Sequence, residues 1–477
     1  MSPLRRLFSL GLCMGFAASS LHAADWSRFR GENGSGVALQ ATNLPSEWSP
    51  TKNLAWKCEL PGPGSSSPII VGDRVFVTCW SGYDGESGSL ETLKRHLLCI
   101  DRKSGKTLWN REVKATLPED NYGGMFAEHG YASHSPVTDG KMVYVFFGKS
   151  GVHAYDFEGN EKWNAMVGDG LDSRRWGSAC SPILYEDKLI VLASAESHTL
   201  YAFDKTTGKE LWKSPADNFT STWGTPVLVK TAQGTTELVI GVPGEIWGFN
   251  PNDGKFLWYC PSNGDDSFCS SVTVSGDVVY SIEGRSGGGI AVRAGGKDDV
   301  SMTHVVWKNN ERNRIGSPLV IDDKIYFFIG RVANCIDAKT GKSIYQGRLP
   351  AGKGASAEAA ETPARDNAPG GPGGPGGPGG RGNGRGGAGG PGGPGGGGGG
   401  RRGGGGQDYS SPVAGDGKIF YITRNGDMHV IAIGPEFKSL GVNRITDRAE
   451  DFSSTPAIAD NQLFVRSSHA LYCIQAQ

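Results

Sequence analysis

The sequence lacks a large net charge of either sign, and its main body lacks a long apolar run. Its 48 lysine and arginine residues stand against 49 aspartate and glutamate residues, a formal net charge of -1. A global field that would attract nucleic acid or an anionic membrane is therefore not expected. The apolar run at residues 7–16 is too short to span a bilayer, and nothing later resembles a membrane helix. We expect no transmembrane segment and no nucleic-acid partner.

The sequence also lacks the C-x-x-C-H motif of haem attachment, the H-E-x-x-H motif of zinc proteins and any pair of adjacent cysteines. Cys99, Cys335 and Cys473 fall at one equivalent position in three repeats, which favours buried small residues over disulfide pairing. The sequence leaves open whether Cys260 and Cys269 form a disulfide. No metal site and no catalytic residue is predicted.

What the sequence has instead is a repeat, clearest at residues 202–227, AFDKTTGKELWKSPADNFTSTWGTPV. Asp204 can accept hydrogen bonds from turn amides, and Gly208 supplies the positive φ that closes the turn. Trp212 then offers a large apolar surface to a neighbouring unit. The stretch predicts one antiparallel hairpin and the entrance to the next strand.

A serine or threonine, usually followed by proline, opens each repeat, and we call these residues the anchors. They are Ser67, Ser135, Ser181, Thr225, Ser271, Ser317, Ser411 and Thr455. Five of the seven intervals between them are 44 or 46 residues, which indicates eight copies of one unit. Short strands bounded by glycine and aspartate turns predict an all-β, eight-bladed β-propeller of four-stranded antiparallel blades. The last copy stops after its third strand, so residues 53–57 would complete that blade and close the ring.

Composition divides the chain into four parts. Residues 1–23 read as a secretory signal peptide, so we expect an exported protein of the periplasm or the extracellular space. Residues 24–52 are predicted to form a strap packed across the ring, and residues 53–477 form the propeller. Within the propeller, residues 351–407 are a Gly/Pro/Arg-rich insertion that we expect to be disordered. Its role, as a solvated linker or an adhesive surface loop, is left open.

Residues 80–96 and 114–134 are two insertions. Both are predicted to lie at the end of the ring from which the chain runs into the anchor of each blade. We call the residues just before each anchor the pre-anchor segments, and this end the pre-anchor face. The pre-anchor segments contain a mixture of aromatic and arginine side chains that could bind a peptide or polyanion, although their tryptophans could instead pack the ring. The binding candidates are Arg174, Arg175, Trp176, Trp223, Asp266, Phe268, Arg312, Arg314, Asp408, Tyr409 and Phe452.

Residues 99–109, 202–212, 248–258 and 335–345 resemble the A-x-D-x-x-T-G-x-x-x-W docking repeat of pyrroloquinoline quinone (PQQ) propellers. The resemblance covers roughly residues 53–475 without the insertion. It implies that the tryptophan of one blade packs against the peptide and glycine of the next. That role would fall on Trp109, Trp163, Trp212, Trp258 and Trp307, with Tyr345 and Leu440 as departures.

That family contains quinoprotein dehydrogenases and non-enzymatic scaffolds. The resemblance implies, for the dehydrogenases, a disulfide between adjacent cysteines, a calcium ion and an aspartate base, and no motif here matches those roles. The opening Trp26-x-x-Phe29-Arg30-Gly31 resembles exported, non-enzymatic members. The resemblance thus favours a BamB-like binding or assembly scaffold without a cofactor, with a protein or other cell-envelope partner. A PQQ-dependent alcohol or sugar dehydrogenase using PQQ and calcium is the alternative, and the oligomeric state is left open.

Overall fold

The computed structural model describes residues 25–83, 87–122, 130–172, 174, 176–262, 265–284, 287–352 and 407–476. The predicted signal peptide, Arg175 and residues 353–406 of the predicted insertion lie outside the described residues. Within the described ranges, no helix is both long enough and apolar enough to cross a membrane.

Eight antiparallel sheets, each with four blade strands, form the ring, and we number the blades one to eight by their inner strands. The inner strands are β3 (Ile69–Val71), β7 (Val137–Thr138), β11 (Ile183–Tyr185), β15 (Val227–Lys230), β19 (Thr273–Ser275), β24 (Leu319–Ile321), β28 (Val413–Gly415) and β32 (Ala457–Ala459). The second strands are β4 (Arg74–Ser81), β8 (Met142–Phe146), β12 (Lys188–Ala193), β16 (Thr236–Val242), β20 (Val278–Ile282), β25 (Lys324–Ile329), β29 (Lys418–Ile422) and β33 (Gln462–Arg466).

The third strands are β5 (Lys94–Asp101), β9 (Val152–Asp156), β13 (Thr199–Asp204), β17 (Glu245–Phe249), β21 (Gly289–Arg293), β26 (Val332–Asp337), β30 (Met428–Ala432) and β34 (Ala470–Gln475). The outer strands are β6 (Thr107–Lys114), β10 (Glu161–Ala165), β14 (Glu210–Pro215), β18 (Phe256–Pro261), β23 (Val305–Asn309), β27 (Ser343–Arg348), β31 (Ser439–Asn443) and β2 (Leu54–Glu59). Two further strands, β1 (Val37–Ala38) and β22 (Asp298–Asp299), pair in parallel with β28 and β18. Short 3-10 helices lie at Glu32–Gly34, Gly148–Ser150 and Asp217–Phe219.

The N-terminal strand β2 closes the ring. It pairs antiparallel with β34, where Trp56 lies opposite Cys473. This pairing gives the last blade the outer strand that its own segment does not supply, and it leaves no open gap between the first and last blades. The predicted eight-bladed propeller with N-terminal closure is confirmed.

The core of the protein lies between neighbouring blades. The second and third strands are largely buried on both faces, as in β12, where every residue is buried. Ile190 and Leu192 of blade three pack in one cluster with Leu238 and Ile240 of blade four. Outer strands instead alternate exposed and buried residues, because only one of their faces meets a neighbour. All cysteines of the described residues are free thiols, Cys260 and Cys269 included.

Tryptophans join the blades in the way that the repeat predicts. The indole Nε1 groups of five of them donate to a backbone oxygen in the turn of the next blade, at 2.8 to 3.2 Å: Trp56, Trp109, Trp163, Trp212 and Trp307. A glycine with positive φ lies under each ring. At Gly208, φ is +74° and a Cβ would come within 2.6 Å of the Trp163 ring. The turn therefore needs glycine both for its backbone angle and for the close approach of the indole.

Three contacts between neighbouring blades depart from this pattern. The Nε1 group of Trp258 donates to the carboxylate of Glu237 at 2.8 Å instead of to the next blade. The same carboxylate accepts from the amide of Gly295 in blade five, so Glu237 joins the two blades. Tyr345 packs against Phe437 at a ring-centroid distance of 6.1 Å. At blade seven, which has Leu440 in place of an aromatic residue, residues 46–48 of the strap cover the outer strand through hydrogen bonds with Asn443.

Candidate functional site

The anchors form a hydrogen-bonded belt around the inner rim. The backbone amide of Ser67 donates to Oγ of Ser135 at 2.8 Å, and the amide of Ser135 donates to Oγ of Ser181 at 2.9 Å. The same bond continues from each anchor to the next through Thr225, Ser271, Ser317, Ser411 and Thr455. Serine and threonine recur here because a short hydroxyl can reach the neighbouring amide. The belt fixes the point at which every pre-anchor segment ends.

The pre-anchor segments of blades three, four and five form one connected group. Arg174 donates to Oγ of Ser221 at 2.8 Å and pairs with the carboxylate of Asp266 at 2.7 Å. Trp176 and Trp223 contact each other with ring centroids 5.1 Å apart. The three segments are therefore held together although they lie far apart in the sequence.

Backbone contacts reinforce this group. Nε1 of Trp223 donates to the carbonyl of Gly177 at 2.6 Å, and its amide donates to the carbonyl of Phe268 at 2.9 Å. The amides of Arg174 and Trp176 both donate to the carboxylate of Asp172, at 3.1 and 2.7 Å. The two tryptophans stay half-buried and so keep part of each ring at the surface.

Arg424 joins the pre-anchor segments of blades seven and eight. Its guanidinium pairs with the carboxylate of Asp451 and lies over the Tyr409 ring, 5.2 Å from the centroid. Its amide donates to Asp408 at 2.8 Å, and Asp408 also accepts from the hydroxyl of Tyr421 at 2.9 Å. Blade six contributes Arg312, which is exposed, and Arg314, which is half-buried.

The predicted candidates thus divide by position. Arg174, Trp176, Trp223 and Asp266 form one contact group, and Asp408 and Tyr409 belong to a second. Phe268 and Phe452 are fully buried, so they pack the ring beneath the face instead of forming its surface.

Sequence reasoning missed several residues that hold or extend the face. Glu283, just after β20, accepts from the amide and hydroxyl of Ser270, and burial raises the pKa of its carboxyl to about 8. Glu196, after β12, accepts from the hydroxyl of Ser178, and burial raises its pKa to about 7. Each glutamate lies within three residues after an apolar second strand, and that position is the only sequence signal that could have indicated it. Leu171, 65% exposed, lies in the same pre-anchor segment as Trp176 and is a second large apolar side chain of that segment.

Buried charged side chains hold the insertion at residues 114–134 against blades one and two. The side chains of Arg95 and Glu119 are each 2% exposed and pair at 2.6 Å. Arg95 also donates to the carbonyl of Tyr131 at 3.0 Å and to Oγ of Ser150 at 3.1 Å. Residues 123–129 are outside the described part. The described ends of this insertion therefore have a fixed place beside the pre-anchor segments.

The carboxylates of the pre-anchor face bear on the alternative that needs calcium. No three His, Cys, Asp or Glu side chains of the described ranges come together as a metal ion would require. The carboxylates of the face are occupied by protein donors: Asp172 by two amides, Asp266 by Arg174, and Asp408 by Tyr421 and Arg424.

Comparison with known proteins defines the class as a PQQ-like propeller. The family model described as "Outer membrane protein assembly factor BamB" matches residues 93–346, more than half of the 477 residues, and the chain belongs to this family. The outer membrane protein assembly factor BamB of Burkholderia pseudomallei is 22% identical in an alignment of 296 residues that covers 52% of this chain. That match spans 66% of the relative, just under two thirds of its length.

Two solved structures share the fold. BamB from Moraxella catarrhalis has a TM-score of 0.55 at 11% identity, and the match covers 89% of this chain and 97% of that one. The computationally designed protein Ika8 has a TM-score of 0.50 at 10% identity, covering 88% of this chain and 98% of its own. At these identities the likeness concerns the fold alone.

Proposed function

We propose that the chain is an exported, non-catalytic scaffold of the cell envelope that binds a protein partner through its pre-anchor face. Membership of a family described by an outer membrane assembly factor supports this class of function and this location. The observation that carries the proposal is the fixed contact group of Arg174, Trp176, Trp223 and Asp266 on a face that also presents Arg312.

The chemistry of the face suits a protein partner. Half-buried tryptophans held in place by hydrogen bonds offer large contact area with little loss of side-chain freedom, as binding hot spots do. Leu171, in the same segment as Trp176, adds exposed apolar surface, while the pair of Arg174 with the largely exposed Asp266 gives a polar rim. Such a surface resembles the centre and edge of a protein interface.

Site-specific photo-crosslinking tests this proposal. A photoreactive residue placed at Arg312 lies on the pre-anchor face, and one at Lys342, in the turn between β26 and β27 of the same blade, lies at the opposite end. Both positions are exposed, so they form a matched pair. We expect a discrete adduct with one envelope protein from position 312 and none from position 342. Equal labelling from both positions, or none from either, would contradict the proposed face.

The dehydrogenase alternative is tested separately. The purified protein is incubated with PQQ and calcium and assayed with a redox dye and a panel of alcohols and sugars. We expect no turnover above the PQQ blank, since the carboxylates of the face are occupied by arginine, tyrosine and amide donors. Saturable turnover that depends on both PQQ and calcium would overturn the scaffold proposal.

A further inference from the structure

One residue, Glu196, holds the pre-anchor segment of blade three at both ends. The amide of Gly170, near the start of the segment, donates to the backbone carbonyl of Glu196 at 2.8 Å. The hydroxyl of Ser178, near the end of the segment, donates to the carboxyl of the same residue at 2.5 Å. Between these two contacts lie Arg174 and Trp176, which belong to the contact group of the pre-anchor face. Glu196 is therefore placed to position that part of the face.

The start of the segment lies directly against the backbone of Glu196. A Cβ added at Gly168 would come within 2.3 Å of the carbonyl oxygen of Glu196, and a Cβ at Gly170 would come within 2.8 Å of it. Both positions need glycine because of this close approach, since real Cβ contacts are longer. The segment can keep this fit only while Glu196 stays in its buried position.

The surroundings of Glu196 suit a neutral carboxyl. The residue is 5% exposed, and its Oε2 has no hydrogen-bond partner among the described residues. The charged groups that face it, Arg95 and Glu119, pair with each other and so present little net charge. Tyr122 of the insertion and Cys180 of the segment itself also face it, and burial raises the pKa of both groups. An ionised carboxylate here would lack both a counter-charge and a donor for one oxygen, which is strongly unfavourable.

We propose that Glu196 is a positioning residue of the partner site and that it holds Arg174 and Trp176 in place only while its carboxyl carries a proton. The inference rests on the proposed function, because the site that Glu196 positions is the one assigned to the partner.

The direction of the pH effect follows from the two states of the segment. When the segment leaves Glu196, water reaches the carboxyl and its pKa returns from about 7 to the ordinary 4.5. The detached state therefore binds fewer protons between these two values, and its population rises about tenfold for each pH unit in that range. Below pH 4.5 the segment is held most firmly, and above pH 7 the population of the detached state no longer changes.

Hydrogen exchange of the full chain, without any partner, tests the inference. Exchange of the peptide that contains Gly170 is measured from about pH 4.5 to about pH 8 and divided by the intrinsic rate at each pH. We expect the corrected rate to rise on the order of a hundredfold in the wild type. Glu196→Gln keeps the shape of the side chain and an acceptor for Ser178 but cannot ionise, so its corrected rate should stay flat. Comparing the two proteins at each pH cancels the contribution of other titrating groups, Glu283 among them.

Gly208 supplies an internal control that requires no variant. Its amide donates to the carbonyl of Asp204 at 2.8 Å in the turn at the opposite end of the same blade, and its corrected exchange should show no such rise. If Glu196→Gln fails to fold, the contrast between Gly170 and Gly208 in the wild type decides the question. The inference is overturned if Gly170 shows no rise in the wild type, or if Glu196→Gln keeps the rise. Either result would leave the crosslinking test of the partner site unaffected, and a failed crosslink would not alter the exchange profile.

Discussion

Substitution of Gly208 by alanine tests whether the blades are held together by an indole resting on a glycine turn. At φ of +74°, an alanine costs about 1–2 kcal/mol of backbone strain. Its Cβ would also lie 2.6 Å from two atoms of the Trp163 ring, so the indole must move. Overpacking of this kind costs about 1–3 kcal/mol. The expected total destabilisation is about 2–5 kcal/mol.

Gly276→Ala is the matched control. Gly276 has φ of +61° in the turn between β19 and β20, and a Cβ there would meet nothing within 4 Å. Gly276→Ala therefore introduces the backbone strain without a contact to an indole ring, and both substitutions restrict the unfolded chain equally. The difference between the two variants in urea unfolding therefore isolates the contact with Trp163. The reasoning is refuted if the variants agree within about 0.5 kcal/mol, the error expected for unrelated sites.

Three further predictions concern closure, buried charge and pH. Trp56→Ala removes the indole that joins blade eight to blade one and should cost about 3–5 kcal/mol in urea unfolding, whereas Leu108→Ala, at an exposed position of an outer strand, should change little. Glu119→Gln leaves Arg95 buried without its counter-charge and should lower the free energy of unfolding by about 3–5 kcal/mol. Glu112→Gln, in the exposed pair with Lys94, should lower it by less than about 1 kcal/mol. Equal losses in the two variants would contradict the account. Because the folded pKa of Glu283 is raised to about 8 from 4.5, folding retains its proton and stability should fall as pH rises from 4.5 towards 8. Glu283→Gln should flatten that part of the stability–pH curve, and an unchanged slope would refute the assignment.

The blade count and the closure were predictable because their signals are local. The turn at Asp204 and Gly208, the following Trp212 and the anchor at Thr225 recur at a fixed spacing, and each residue acts within its own repeat or on the next. The last repeat has an anchor but no outer strand of its own, and this gap indicated where residues 53–57 must pair. Regular spacing also places the pre-anchor segments at one end of the ring.

The contacts that organise the candidate site were not predictable. Arg174 meets Asp266 across 92 residues of sequence, and no pattern indicates such a pair. Glu237 replaces a backbone carbonyl as the acceptor for Trp258 because it also binds Gly295, a choice that depends on packing between blades. The strap was expected from its aromatic residues, but the hydrogen bonds of its Arg28 and Arg30 depend on carbonyls of distant blades. Such long-range pairings are set by the closed ring and not by neighbouring residues.

Equilibrium binding of the crosslinked partner to purified variants tests the central claim most directly. Trp176→Ala and Trp223→Ala should each weaken binding at least about tenfold, as truncation of an aromatic hot spot does, while melting remains close to that of the wild type. Lys342→Ala, at the opposite end of the ring, should bind as the wild type does. Unchanged affinity in both tryptophan variants, or an equal loss in Lys342→Ala, would contradict a partner site on the pre-anchor face.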